Sequence, residues 1–221
     1  MSAILETGWV SHAQDAAVSK QVSRAPAGER SMPDEILSSA AALFSRRGYQ
    51  GVGIRELADA VGLSTSTLYH YYATKQDILY AIIVRFLHEF TEKLVAGLRD
   101  DAVTPRDRLE RAVTDHVTLT VTRREELLVG NPVLSALTPD QQSDIAGLRR
   151  SYRDAVRDVI VEGIAVGEFN VDDPLLTATA MLDMLDGVRA WYHPDGALSL
   201  SELAAHYCTY ALSLCQSGRT G

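Results

Sequence analysis

Four consecutive hydroxyl side chains, Ser64, Thr65, Ser66 and Thr67, are followed by the aromatic block Leu68-Tyr69-His70-Tyr71-Tyr72 and then by Lys75. Short hydroxyls both donate and accept, so at the start of a helix they can bond phosphate oxygens or base edges, and a threonine methyl can touch a thymine methyl. A lysine at the amino end of a helix, beside free backbone amides, suits a phosphate. Farther along, Arg149, Arg150, Arg153 and Arg157 share one helical stripe that either meets phosphates or is a solvated face balanced by Asp154 and Asp158. Asp183 and Asp186 interrupt an otherwise apolar segment, with Arg189 three positions on. They form either an internal ion pair or a polar anchor at a pocket wall. His116 is a pocket candidate whose plainer reading is a satisfied core or surface histidine. No HExxH, GxSxG, Walker glycine loop or CxxC occurs, so no residue pattern points to an enzyme, a metal or a cofactor.

The elements that must position these groups are helical throughout. Ser31 ahead of Pro33, Asp34 and Glu35 marks a helix start, and Ile36, Leu37, Ala40, Leu43 and Phe44 line one face before Arg46, Arg47 and Gly48 stop it. A short helix follows from about Ile54 to Val61, ended by Gly62, and a third is capped by Ser64 and carries Leu68 and Tyr69. Ala58, Gly62 and Leu68 stand at relative positions 5, 9 and 15 of a helix-turn-helix. Ala58 allows a close crossing, Gly62 supplies a turn backbone and Leu68 anchors the recognition helix from beneath. A long amphipathic segment, Gln76 to Leu98, comes next, and helical patterns recur at about Arg106–Leu128, Asp140–Gly167, Pro174–Tyr192 and Leu200–Leu214. No stretch alternates with period two between turns, so the chain reads as all-α.

Composition narrows the class. With 221 residues, 46% hydrophobic and 23% charged, the chain can bury a core and is not a disordered one. Its longest apolar stretch, around Ile78–Leu87, is broken by Arg85 and is too short to cross a bilayer. The start has no pattern of a secretory signal, and Cys208 and Cys215, seven apart on a helix, read as reduced core thiols. Both features fit a cytoplasmic protein. Residues 1–75 hold 7 basic and 7 acidic side chains, so the whole net charge of −8 resides in the later part. A neutral first part permits nucleic-acid binding, because phosphate attraction is short-ranged at cellular salt.

The string GIRELADAVGLSTSTLYHYYATKQDIL, residues 53–79, resembles the DNA-binding domain of the TetR family, whose members commonly read like VRDIADAAGVSKGTLYHHFPSKEALL. The resemblance implies about nine helices: an N-terminal three-helix helix-turn-helix domain, then a larger helical domain for ligand binding and dimerisation. It divides the chain into an N-terminal arm (1–30), a DNA-binding domain (31–75) and the ligand-binding and dimerisation domain (76–221). It assigns DNA contacts to Arg55, Tyr69 and His70, beside the hydroxyls of Ser64–Thr67 and the phosphate grip of Lys75. Tyr72 reads as a packing residue, and Tyr71 as packing or reader. The chain departs from the pattern at Gly53, where relatives often have a capping hydroxyl, and at Thr65, where they often have lysine. Arg24 and Arg30 could form a minor-groove arm, or the arm is an inert tail.

The run VRAWYHPDGALSLSELAAHY, residues 188–207, is similar to the corresponding stretch of TetR relatives that govern steroid and fatty-acid breakdown and respond to acyl-CoA thioesters. Trp191 therefore marks either a shared ligand site or a shared helix-to-helix corner. Under the ligand reading, Arg149 and Arg153 meet phosphates and His116, Asp183 and Asp186 line the pocket. Pro174–Tyr192 is apolar nearly all round, and Leu200, Leu203, Tyr207, Tyr210 or Ala211, and Leu214 repeat at near-heptad spacing. Two such helices from each of two chains would form a four-helix homodimer interface. The resemblance thus implies a repressor that binds a palindromic double-stranded DNA operator as a dimer and is released by a small-molecule effector.

Overall fold

A computed structural model describes residues 31–123, 134–216 and 218. The expected arm at 1–30, with Arg24 and Arg30, lies outside the described residues, as do residues 124–133. Among the described residues the fold is all-helical: α1 (Met32–Arg47), α2 (Ile54–Ala60), α3 (Thr65–Tyr71), α4 (Lys75–Leu98), α5 (Pro105–Thr122), a 3-10 turn (Leu134–Ala136), α6 (Pro139–Ala165), α7 (Pro174–Trp191) and α8 (Leu200–Leu214). The fifth helix ends at Thr122 with Arg123 as its cap, and the remainder of the expected segment, to Leu128, lies outside the described residues. No described helix is long and apolar enough to cross a membrane.

Helix starts follow local chemistry. Ser31, Ser64, Thr74, Thr104, Thr138, Asp173 and Ser199 each accept a hydrogen bond from the backbone amide three residues on, satisfying one of the orphan donors of a helix start. Among the described α-helices only α2 starts without a side-chain cap, because Gly53 stands there. Gly62, at φ 67°, makes the turn between α2 and α3 in the left-handed region that favours glycine.

α1, α2 and α3 enclose a small core of Ile36, Leu37, Phe44, Leu57, Ala58 and Leu68, the last fully buried. α1 packs on α4, and α4 packs in turn on α5 and α6, so one continuous helix joins the two parts of the molecule. Beyond α4, α6 packs on α7 and α5 on α8. At the far end of α4, buried Arg108 donates to the Leu98 carbonyl at 3.0 Å and pairs with Glu162, tying α4, α5 and α6 together.

α7 buries Ala178, Met181, Leu185 and Val188 along one stripe but leaves Leu175 and Leu176 bare, Leu176 at 63% exposure. The expected burial on several sides is therefore not met within one chain: the other helices cover a single face. On α8, Leu203, Ala204 and Ala211 face the core and Tyr210 faces outward. Cys215 is fully buried and Cys208 half-buried; both are free thiols, and burial raises the pKa of each.

Candidate functional site: a nucleic-acid face and an arginine-lined cavity

At the amino end of α3, the Ser64 hydroxyl accepts the Thr67 amide at 3.1 Å and lies 2.8 Å from both Ser66 Oγ and Thr67 Oγ1. Part of the hydroxyl run is therefore spent on building the helix start. Thr65 and Thr67 are half-buried, whereas Ser66, Tyr69 and His70 are exposed, as is Arg55 on α2. The exposed side chains of α2 and α3 thus include Arg55, Ser66, Tyr69 and His70. Tyr71 and Tyr72 are half-buried against the core, and burial raises the Tyr72 pKa, with Arg85 opposing and Asp34 adding to the rise.

Lys75 is placed differently from a free phosphate grip. Its Nζ donates to the Tyr49 carbonyl at 2.6 Å and to the Val52 carbonyl at 2.7 Å, and sits 4.1 Å from the Tyr49 ring centroid. Burial lowers its pKa. Two of the three ammonium hydrogens thereby clamp the loop between α1 and α2 onto the start of α4, and one remains. Sequence reasoning could not see this use, because the carbonyls come from residues 26 and 23 positions away with no side-chain signature.

The second site is a cavity of about 250 Å³ between α4, α5, α6 and α7. His116, Arg149, Arg153, Asp183 and Asp186 all line it. Trp191 does not join them: at the end of α7 it is exposed and stands edge-on to Tyr192, 6.1 Å between ring centroids, at the corner leading to α8. The stripe divides as well. Arg149, Arg150 and Arg153 reach the cavity, while Arg157 bonds Asp158 at 2.7 Å on the outer surface, as a solvated balanced face would. Arg153 is also held by Asp154 at 2.8 Å.

The cavity is graded from polar to apolar. Arg149, Arg150 and Asp183 are exposed, Arg153, Asp186 and Arg189 intermediate, and Phe86, Leu87, Phe90, His116 and Tyr152 buried. Four arginines and two aspartates line the cavity, an excess of two positive charges. Burial lowers the Arg149 pKa; Asp186 opposes that shift and Arg189 adds to it.

At the closed end, His116 Nδ1 is 3.2 Å from the Tyr152 hydroxyl, and the His116 ring lies edge-on to Phe90 at 4.9 Å. Burial, reinforced by Asp186 and Asp115, raises the Tyr152 pKa, so its hydroxyl stays protonated. The Tyr152 hydroxyl can donate to Nδ1, and the Asp186 carboxylate beside Nε2 favours a hydrogen on that nitrogen. Nε2 lies 3.4 Å from Asp186 Oδ1, close enough for charge attraction but not aligned as a hydrogen bond, and His116 as a whole is only 2% exposed. Burial pushes the Asp186 pKa up, but His116, Arg189 and Arg149 outweigh it and hold the carboxyl below the ordinary range. Arg189 reaches the Asp186 backbone carbonyl at 2.9 Å and its carboxylate at 3.6 Å, the internal pairing expected of this helix. Tyr152, Phe86 and Phe90 carry no sequence mark of cavity lining; their helical spacing says only that they face inward.

Two family descriptions match the chain: "Bacterial regulatory proteins, tetR family" over residues 36–82, and "Tetracyclin repressor-like, C-terminal domain" over residues 102–215. The HTH-type transcriptional repressor KstR2 of Mycolicibacterium smegmatis is 25% identical over 189 residues, covering 85% of this chain and 92% of that protein. Among solved structures, the TetR family transcriptional regulator PfmR from Thermus thermophilus superposes with a TM-score of 0.76 at 28% identity, covering 84% of this chain and 100% of that one. AibR in complex with isovaleryl coenzyme A and operator DNA superposes with a TM-score of 0.72 at 26% identity, covering 81% and 97%. These relatives are transcriptional regulators, not enzymes, and the second family match alone spans more than half of the sequence. The chain belongs to the TetR family of bacterial regulatory proteins.

Proposed function

We propose that this protein is a transcriptional repressor that binds a palindromic operator as a homodimer and is released by an anionic small molecule, an acyl-CoA thioester, in the α4–α7 cavity. The DNA-binding unit is residues 31–75, and residues 76–221 hold the effector and the dimer contact. The observation that carries this reading is the double duty of α4. Its first residue, Lys75, holds the loop between α1 and α2, and Arg85 pairs with Asp34 of α1 at 3.1 Å. About 22 Å farther on at ~1.5 Å per residue, Phe90 of the same helix lines the cavity.

A ligand that fits the cavity best when α4 is displaced favours a conformer in which the recognition helices no longer match successive grooves. It acts only through its different affinity for the two conformers. Gln76 Nε2 donates to the Ala136 carbonyl at 2.7 Å and the Tyr80 hydroxyl to Asp144 at 2.9 Å, so any shift of α4 against α6 exchanges these bonds. The bare apolar side chains of α7 and α8, Leu175, Leu176 and Tyr210, support pairing with a second chain through those helices. A twofold pair presents two α3 helices about one DNA turn, ~34–36 Å, apart.

The arginine excess and the aromatic floor fit a ligand with phosphates at one end and an apolar group at the other. Named for AibR, isovaleryl coenzyme A has that build. Fluorescence anisotropy on the DNA upstream of the protein's own gene, with and without a panel of acyl-CoA thioesters, tests the reading. Tight binding relieved by a thioester is expected; binding indifferent to the whole panel would remove the acyl-CoA effector.

A further inference from the structure

The cavity has a size and a polar point that together narrow the effector beyond its class. At about 250 Å³ it lies below the ~300–1,000 Å³ of sites that enclose a drug-sized ligand. A whole coenzyme A thioester is far larger, so only one end of it enters. Charge decides which end. Arg149 and Arg150 occupy the exposed part, with Arg153 next to them, and attract phosphates, while Phe86, Phe90 and Leu182 line the inner part and suit hydrocarbon.

Among those inner groups, His116 Nε2 is buried and has no hydrogen-bond partner. A buried donor left in this state costs free energy, which a ligand acceptor recovers. The Asp186 carboxylate, 3.4 Å from Nε2 but out of line for a hydrogen bond, favours a hydrogen on that nitrogen, with Nδ1 accepting from the Tyr152 hydroxyl. A thioester contributes one acceptor at the junction between its polar arm and its acyl chain, the carbonyl oxygen.

Resting on the acyl-CoA reading above, we infer that the cavity admits only a short acyl group, of about four to six carbons, whose thioester carbonyl accepts a hydrogen bond from His116 Nε2 while the phosphates stay outside on Arg149, Arg150 and Arg153. Longer chains exceed the volume of the cavity. Free coenzyme A lacks the acyl group and the carbonyl, and a free short acid lacks the phosphates.

Calorimetric titration of the full-length protein with butyryl-CoA, hexanoyl-CoA, decanoyl-CoA, coenzyme A and hexanoate tests this. Hexanoyl-CoA or butyryl-CoA is expected to bind at least tenfold more tightly than each of the other three. Decanoyl-CoA binding as tightly as hexanoyl-CoA would overturn the size limit and leave the acyl-CoA effector standing. Failure of every thioester to bind would overturn the effector and the size limit together. His116→Gln is expected to weaken hexanoyl-CoA at least tenfold with coenzyme A unchanged; an equal loss on both would overturn the carbonyl contact. Leu182→Ala, which enlarges the cavity without touching His116, is expected to raise decanoyl-CoA affinity relative to hexanoyl-CoA, and an unaltered ratio would count against the inference.

Discussion

The helix-turn-helix and the cavity are built by opposite means. In residues 31–75 nearly every feature is local: Ser64 caps its own helix, Gly62 turns at φ 67°, and Leu68 fills the core beneath the proposed DNA face. The cavity draws Phe90, His116, Arg149 and Asp186 from four helices, and no two of these lie within 20 residues of one another. The charges differ too. On the first unit four basic side chains stand against four acidic ones, with Arg47 paired to Glu56. At the cavity four arginines crowd two aspartates. A reading head assembled from neighbours is stiff and reusable; a cavity assembled from distant helices changes shape when those helices shift.

The strongest way to break this comparison is at Leu68. Leu68→Ala removes a fully buried anchor and is expected to cost about 2–5 kcal/mol of stability, read by denaturant unfolding. If α3 is the stiff unit described, operator binding disappears with it. Arg149→Ala with Arg153→Ala strikes the other region. Each charge-assisted contact with a phosphate contributes roughly 1.5–3 kcal/mol, so the pair should abolish release by acyl-CoA while operator affinity in anisotropy stays intact. Loss of operator affinity in that variant would show that the two regions are not separable.

Lys75→Ala tests the joint between them. Removing two hydrogen bonds to buried loop carbonyls should lower stability by about 1–3 kcal/mol and weaken cognate and random DNA nearly alike. A variant that keeps full thermal stability but loses DNA binding and salt dependence would return Lys75 to a purely phosphate role. Gly62→Ala, forced into a left-handed backbone, should cost about 1–2 kcal/mol in a melting experiment.

The same contrast explains what the sequence made legible. Ala58, Gly62 and Leu68, three positions in one short string, identify the helix-turn-helix because turn geometry and caps are encoded within a few residues. Arg157 as a balanced surface residue was legible for the same reason: its partner Asp158 is the next residue. Arg149, Arg153, Asp183 and Asp186 were marked by charge in unusual places, and they converge on one cavity. Trp191 was marked by likeness to relatives, and it stands at a corner of the fold outside that cavity. What spacing could not carry was contact across helices: the Tyr152–His116 hydrogen bond spans 36 positions, and the Lys75 clamp ends on backbone carbonyls that have no residue identity to read.

The central claim is that α4 couples the cavity to the DNA face, and coupling is reciprocal. The most direct test measures hexanoyl-CoA affinity twice, on the free protein and on the protein saturated with its operator, and compares the ratio with the fold-loss of operator affinity caused by saturating hexanoyl-CoA. The account predicts weaker thioester binding to the DNA-bound protein, by the same factor in both directions. Equal thioester affinity for the free and operator-bound protein would contradict it.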